Sequence, residues 1–303
     1  MSGRSDPSPE TETSQDEDGA IVEQISADAA FELLGNETRL SILRALFDAE
    51  GALAFSALND AVGTTDSGRF NYHLDKLRQV FVRKTDDGYE LTAEGRDVVG
   101  SILAGPYTKT VDADPVAVGA DCSTCGGALA GYFDDGLVRV ACEDCERRVI
   151  SLPVPPGAFE AYPREEWPVV AERWTRREVE TMQRGFCPVC HGPSTTRVVT
   201  EPERLHDAFD VGVRYGCERC GEELASNVEA SVVPHPSVVA FYHERGVDVT
   251  TTPVWELDWA VRPVAEVAAT DPLRVTVPVE CDGDRLVLTL DESAAVVEER
   301  VES

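Results

Sequence analysis

Eight of the chain's nine cysteines fall into four Cys-x-x-Cys pairs: Cys122 with Cys125, Cys142 with Cys145, Cys187 with Cys190, and Cys217 with Cys220. A thiolate is a soft ligand, and two such pairs brought to one point supply the four sulfurs of a tetrahedral zinc site. Four protein ligands leave no position open for water or substrate, so the spacing predicts structural ribbons and not a catalytic metal. In the first unit, Tyr132 to Val140 reads as a hairpin turning at Asp134-Asp135-Gly136, which carries one pair back to the other. The second unit repeats the design with a longer insert. The expectation is two structural zinc ions, with pairing inside each unit as the simpler arrangement. His191 is read as a bystander, and Cys281, single in an alternating stretch, as a buried thiol.

A second chemistry lies upstream. Between Ser67 and Lys84 five basic residues, Arg69, Lys76, Arg78, Arg83 and Lys84, meet a single acid, Asp75. The whole chain has the opposite balance, with 56 acidic against 27 basic residues and a formal net charge of -29. That is too acidic for a generic nucleic-acid binder, and only a local positive surface could meet a phosphate backbone. The excess of Asp and Glu with only three lysines is similar to that of halophilic cytoplasmic proteins. At molar salt the Debye length falls to about 3 Å, and distant acids barely repel a duplex.

The elements that must position these groups are legible in outline. Met1 to Asp18 is polar and acidic, without the apolar core of a signal peptide, and is expected to be a disordered tail. No run approaches the roughly 18 apolar residues that span a bilayer, so a soluble cytoplasmic protein is expected, with no membrane partner. Ile21 to Gly35 reads as a short helix offering Ile25, Ala29, Phe31 and Leu34 to a core. Asn36 caps a second helix with Leu40, Leu43, Leu46 and Phe47 on one face. Phe55 to Val62 is a third helix. Thr65 or Asp66 caps a fourth, running to about Val80, with Phe70, Leu74, Leu77 and Phe81 as its buried stripe. Asp86-Asp87-Gly88 between alternating residues signals a hairpin, and Ala93 to Leu103 a fifth helix.

Helix, helix, turn, helix and basic hairpin is the order of a winged helix-turn-helix. Leu34 to Leu43 (LGNETRLSIL), Tyr72 to Leu77 (YHLDKL) and Tyr89 to Gly95 (YELTAEG) resemble the matching stretches of ArsR-type transcriptional regulators. The resemblance covers about 27–104, and the full layout is similar to ArsR-like proteins of haloarchaea with a cysteine-rich C-terminal region. It implies a homodimer formed through the first and last helices, with the fourth helix in the major groove of double-stranded DNA and the hairpin on the flanking backbone. The family's metal-sensing cysteines have no counterpart before Cys122. On this reading Thr65, Ser67, Arg69 and Tyr72 approach base edges, Lys76, Arg83 and Lys84 hold phosphates, and Asn71 and His73 complete the DNA-binding set. His73, at the edge of the apolar stripe, is read as packed, or bonded to backbone or a phosphate, and not as catalytic.

Farther along, Arg164 to Arg184 reads as a charged helix with Trp167, Val170 and Trp174 on its core side. Its Arg173, Arg176 and Arg177 are offset by Glu172, Glu178 and Glu180 into a solvated face. A short helix from Pro236 to Arg245 and a hairpin pairing Leu273–Val279 with Arg285–Leu290 follow. The expected fold is α+β: an acidic tail (1–20), a winged helix-turn-helix (21–105), a linker (106–120), two zinc-ribbon-like β units (121–152 and 185–230) around a connecting helical segment (153–184), and a C-terminal helix and β-hairpin region (231–303). No His-Glu pair, nucleophile elbow or phosphate-cradling glycine loop occurs, so an enzyme is not expected. The expected function is a sequence-specific, ArsR-like transcriptional regulator with structural zinc. The alternative is a basal factor resembling the archaeal homologue of the TFIIE large subunit, which acts through RNA polymerase and other transcription machinery.

Overall fold

The computed structural model describes residues 11–15, 21–134, 136–200 and 209–302. The chain divides into two compact units, Met1–Thr108 and Lys109–Ser303, and its class is mixed α+β with several small antiparallel sheets.

In the first unit, strands β1 (Thr11–Gln15) and β2 (Ile21–Ile25) pair antiparallel, ahead of helices α1 (Ala27–Leu34), α2 (Glu37–Asp48), α3 (Phe55–Val62) and α4 (Ser67–Leu77). Strands β3 (Val82–Lys84) and β4 (Tyr89–Leu91) form a hairpin, and α5 (Ala93–Ala104) closes the unit. Two expectations change here. The expected helix from Ile21 starts only at Ala27, because Ser26 caps it by accepting from the Ala29 amide while the β-branched run Ile21-Val22 pairs with β1. Part of the expected disordered tail, Thr11–Gln15, is therefore strand, and 1–10 and 16–20 lie outside the described residues.

The core of this unit gathers Leu33, Ile42, Leu43, Leu46, Leu58, Phe70, Leu74, Leu77, Phe81 and Val99. Phe31 and Phe47, expected inside, are exposed, because α1 and α2 present Leu33 and Ile42 to the neighbouring helices instead. Gly88 makes the hairpin possible. Its φ is +144°, and a Cβ there would collide with the Leu53 carbonyl, which accepts from the Tyr89 amide at 2.9 Å.

The second unit opens with β5 (Ala113–Asp121), β6 (Ala128–Asp134), β7 (Leu137–Cys142) and β8 (Arg148–Pro153), a four-stranded meander in that order. Most of the expected linker is thus strand, since Val116 packs into the core with Phe133, Phe159 and Val170. The hairpin turn contains Asp135, which lies outside the described residues. Helix α6 (Trp167–Gln183) leads to β9 (Ser194–Val199), β10 (Gly212–Cys217) and β11 (Glu223–Asn227), a three-stranded sheet in the order β11-β10-β9. Helices α7 (Val228–Ser231) and α8 (Pro236–His243) follow.

Strands β12 (Glu266–Thr270), β13 (Leu273–Cys281), β14 (Asp284–Leu290) and β15 (Val296–Glu302) complete the unit. The expected C-terminal hairpin is the centre of this four-stranded sheet. Leu286, Val287, Leu288 and Leu290 of β14 are all buried, so a lone hairpin would leave them wet. Cys281, expected buried, is only half-buried at the end of β13.

The solvated face expected on α6 is also corrected. The Glu172 and Arg176 side chains keep 6% and 17% of their surface and pair at 2.6 Å. Arg176 further donates to the carbonyls of Val249, Thr250 and Thr252, tying the helix to a distant loop.

Candidate metal centres and candidate nucleic-acid interface

Each Cys-x-x-Cys sits on a tight turn of the same construction. The first cysteine's N–H donates to a carbonyl five residues on: Cys122 to Gly127, Cys142 to Arg147, Cys187 to Gly192 and Cys217 to Glu222, at 2.7–2.9 Å. Its C=O in turn accepts from the amide four residues on, that of Gly126, Glu146, His191 or Gly221, at 2.9–3.1 Å. Closing this turn requires a left-handed residue at the fourth position, and the φ values there are 77°, 57°, 57° and 78°. Glycine meets that demand without cost at 126 and 221, whereas Glu146 and His191 accept strain of about 1 kcal/mol. His191 is therefore a turn residue and lies outside the sulfur cluster, as its reading as a bystander required.

The turns aim amides at sulfur, Gly127 N–H at Cys125 Sγ and Val189 N–H at Cys187 Sγ. They also bring the thiols together within each unit. Cys122 lies 3.8 Å from Cys145 and Cys125 3.4 Å from Cys142; Cys187 lies 3.6 Å from Cys220 and Cys190 3.5 Å from Cys217. In each set all four sulfurs fall within 4.8 Å of one another. A tetrahedron with metal–sulfur bonds of about 2.3 Å has edges of about 3.8 Å, whereas a disulfide needs about 2.05 Å. The geometry is that of two four-cysteine clusters, each able to hold one metal ion of zinc type.

The thiols are also electrostatically prepared. Burial opposes ionisation of Cys122, but backbone amides of Cys125 and Thr124 and the neighbouring thiols donate to its sulfur and bring it down to about 7. Amides of Cys220 and Arg219, with the Cys190 and Cys220 thiols, bring Cys217 down to about 7 despite its burial. Cys125 receives the Gly127 amide, yet its donation to Cys142 and Cys145 holds it up at about 12, and Cys220 stands likewise at about 12 against the Glu222 amide. A cation held by the four sulfurs would replace the thiol protons.

The first unit presents the other candidate site. Asp66 caps α4, its Oδ1 accepting from the Gly68 and Arg69 amides at 3.0 Å each. Phe70, His73, Leu74 and Leu77 turn inward, and Phe55 meets Phe70 edge-on with ring centroids 5.2 Å apart. That fixes the rotation of the helix and leaves Thr65, Ser67, Arg69, Asn71 and Tyr72 exposed. Asn71 donates to Asp75 at 2.9 Å, and Arg78 pairs with the same carboxylate at 3.0 Å. The Lys76 ammonium lies 5.9 Å from the Tyr72 ring centroid and the Lys84 ammonium 5.8 Å from that of Tyr89. On the hairpin, Arg83 and Lys84 are exposed, with Arg83 paired to Glu90 at 2.7 Å.

His73, read as packed or bonded to backbone or a phosphate, is packed. It is only 7% exposed, and burial first, then the charges of Arg39 and Arg69, lower its pKa. Its place beside Leu74 on the inward stripe of α4 is the physical reason for its burial. Arg39, whose charge bears on His73 and whose Nη2 donates to the Glu32 carbonyl, carried no signal of this in the sequence.

No helix among the described residues is long and apolar enough to cross a membrane. Residues 119–296, more than half of the chain, match a family model described as Domain of unknown function (DUF7351), and residues 27–102 match one described as Domain of unknown function (DUF7347). No curated protein and no solved structure matches the chain.

Proposed function

The chain belongs to the family described as Domain of unknown function (DUF7351), and from its own residues we propose that it is a sequence-specific, DNA-binding transcriptional regulator whose second unit is built on two structural zinc ions. One observation carries the reading: α4 is capped at Asp66 and buried along one side, while its exposed first turns and the adjoining hairpin hold the chain's strongest local excess of positive charge. On this reading the first unit is a winged helix-turn-helix of ArsR type. Arg69 reads a guanine edge from the N-terminal half of α4, Thr65, Ser67 and Tyr72 flank it, and Lys76, Arg83 and Lys84 hold phosphates.

Phe31 on α1 and Leu103 on α5 are exposed at 73% and 47%. Apolar surface on the first and last helices supports a homodimer through them, and a dimer calls for an inverted-repeat site with half-sites about one helical turn apart. The four-cysteine clusters support a structural role for the metal, since four protein ligands fill a tetrahedral site.

The test is equilibrium binding of full-length protein to a selected DNA site and to single-base variants of it. Arg69→Ala relaxes discrimination at one position by about 1–3 kcal/mol, whereas Lys84→Ala weakens all sequences alike. Equal binding by the wild type and both variants sinks the assignment.

A further inference from the structure

Between Pro253 and the start of β12 at Glu266 the chain forms only two short turns of 3₁₀ helix, Val254–Glu256 and Asp258–Val261. It has little structure of its own and lies where its contacts hold it. Those contacts reach both cysteine clusters. Trp255, 4% exposed, is buried in one apolar cluster with Cys122 and Cys142, and Trp259, also 4% exposed, lies in the core that contains Cys187 and Cys217.

On the side of the first cluster the polar contacts fall on the metal-binding turns themselves. Ser123 and Thr124 stand between Cys122 and Cys125. The Ser123 carbonyl accepts from Arg262 Nε at 3.2 Å, and the Ser123 hydroxyl donates to the Val261 carbonyl at 3.5 Å. Arg147, two residues past Cys145, donates to the Thr124 hydroxyl through Nη1 and to the Val261 carbonyl through Nη2, which ties both turns of the cluster to the segment. On the side of the second cluster, the Ala260 carbonyl accepts from Asn227 Nδ2 at 2.7 Å, and the Val264 and Ala265 amides donate to Glu229 Oε1 at 2.9 Å each. Asn227 ends β11, the strand that leaves the turn of Cys217 and Cys220, and Glu229 lies in α7 directly after it. With Glu229 only 1% exposed, its carboxylate depends on those amides for partners.

Without an ion, the thiols of the first cluster have only weak S–H contacts, at 3.4–3.8 Å, to hold them in place, whereas an ion binds all four. The segment therefore docks better on a loaded first cluster than on an empty one, and by reciprocity the docked segment raises the affinity of that cluster for its ion. The same holds where the segment meets β11 and α7.

We infer that residues 254–265 couple the two metal centres, so that an ion in either cluster raises the affinity of the other, with Arg147 and Arg262 as the links on the first side. The coupling requires only that each cluster hold an ion, which elemental analysis measures by itself, and it is independent of DNA reading.

The experiment titrates zinc into full-length, metal-free protein against a chromophoric chelator. Cys145→Ser and Cys220→Ser each spoil one cluster at an exposed ligand and report the affinity of the other cluster alone. The wild-type constant for binding two ions exceeds the product of those two single-site constants by about tenfold. On the background of Arg147→Ala with Arg262→Ala, which leaves all eight cysteines in place, the excess disappears. Hydrogen exchange follows the route, since the Val264 and Ala265 amides exchange faster in zinc-loaded Cys145→Ser than in the wild type. Should a cysteine variant fail to fold, native mass spectrometry at one zinc per chain decides, with the one-ion species more abundant in the double-arginine variant than in the wild type. A product equal to the wild-type constant, an excess that survives without the two arginines, or equal one-ion fractions overturns the coupling. A wild type that holds fewer than two ions overturns the metal reading, and the coupling with it.

Discussion

Replacing Arg176 by Met removes the clamp that joins α6 to the loop 249–252, and the structure sets the size of the effect. Three carbonyls lose their donor, and Glu172, with 6% of its side chain exposed, loses the only cation paired with it among the described residues. Breaking a buried pair in this way costs about 3–5 kcal/mol, because the uncompensated charge stays inside. All four tryptophans, Trp167, Trp174, Trp255 and Trp259, lie in the second unit, so their fluorescence follows its unfolding alone. In urea the midpoint falls by about 1–2 M.

The pH dependence has a definite sign. Burial raises the Glu172 pKa and Arg176 pulls against it, so the variant's carboxyl sits higher still. A group whose folded pKa is raised favours the fold below its unfolded pKa and loses that contribution as pH rises through the folded value. The deficit of Arg176→Met relative to wild type is therefore largest near neutrality and shrinks as pH falls toward 4.5, the ordinary value of the group. Adding Glu172→Leu restores most of the loss, since no buried charge remains. A midpoint shift below about 0.3 M, or a deficit that grows on acidification, refutes this account.

Further outcomes follow from the clusters and the first unit. Cys142→Ser lowers bound metal, measured by elemental analysis, from two ions per chain to one, and Cys217→Ser does the same at the other cluster; loss of both ions from either change contradicts two separate four-cysteine centres. Asp66→Ala removes the cap of α4 at a cost of about 1 kcal/mol, seen as faster hydrogen exchange of the Phe70 and Leu74 amides with no change in metal content. Gly88→Ala strains the β3–β4 hairpin by about 1–3 kcal/mol through its φ of +144° alone, and its collision with the Leu53 carbonyl adds to that; unaltered thermal unfolding of the first unit, followed by circular dichroism, contradicts it.

What could be read from residues alone tracks how local each signal is. The four Cys-x-x-Cys turns are short-range structures, and Gly126 and Gly221 already mark the left-handed position; Glu146 and His191 hide the same turn behind side chains that rarely adopt it. Helix α4 was legible because cap and apolar stripe agree within eleven residues. The inward turn of His73 was legible only as one of several readings, since it lies next to Leu74 on one flank and Tyr72 on the other, and the packing of α4 against Phe55 and the helices around it fixes the rotation. Residues 113–120 read as a linker because a strand at the edge of a sheet carries little apolar pattern, here Val116 alone among its buried positions. Glu172 and Arg176 look like any i, i+4 surface pair until the loop 249–252, more than seventy residues away, closes over them.

The central claim is that the exposed side of α4 and its hairpin read DNA by sequence. Genome-wide mapping of bound sites at the cell's own salt tests it most directly, since at high ionic strength counterion release yields little affinity and base contacts must supply the discrimination. The account predicts a limited set of sites sharing an inverted repeat, lost with Arg69→Ala. Occupancy that follows RNA polymerase across promoters without a shared motif, or no enriched site at all, contradicts it.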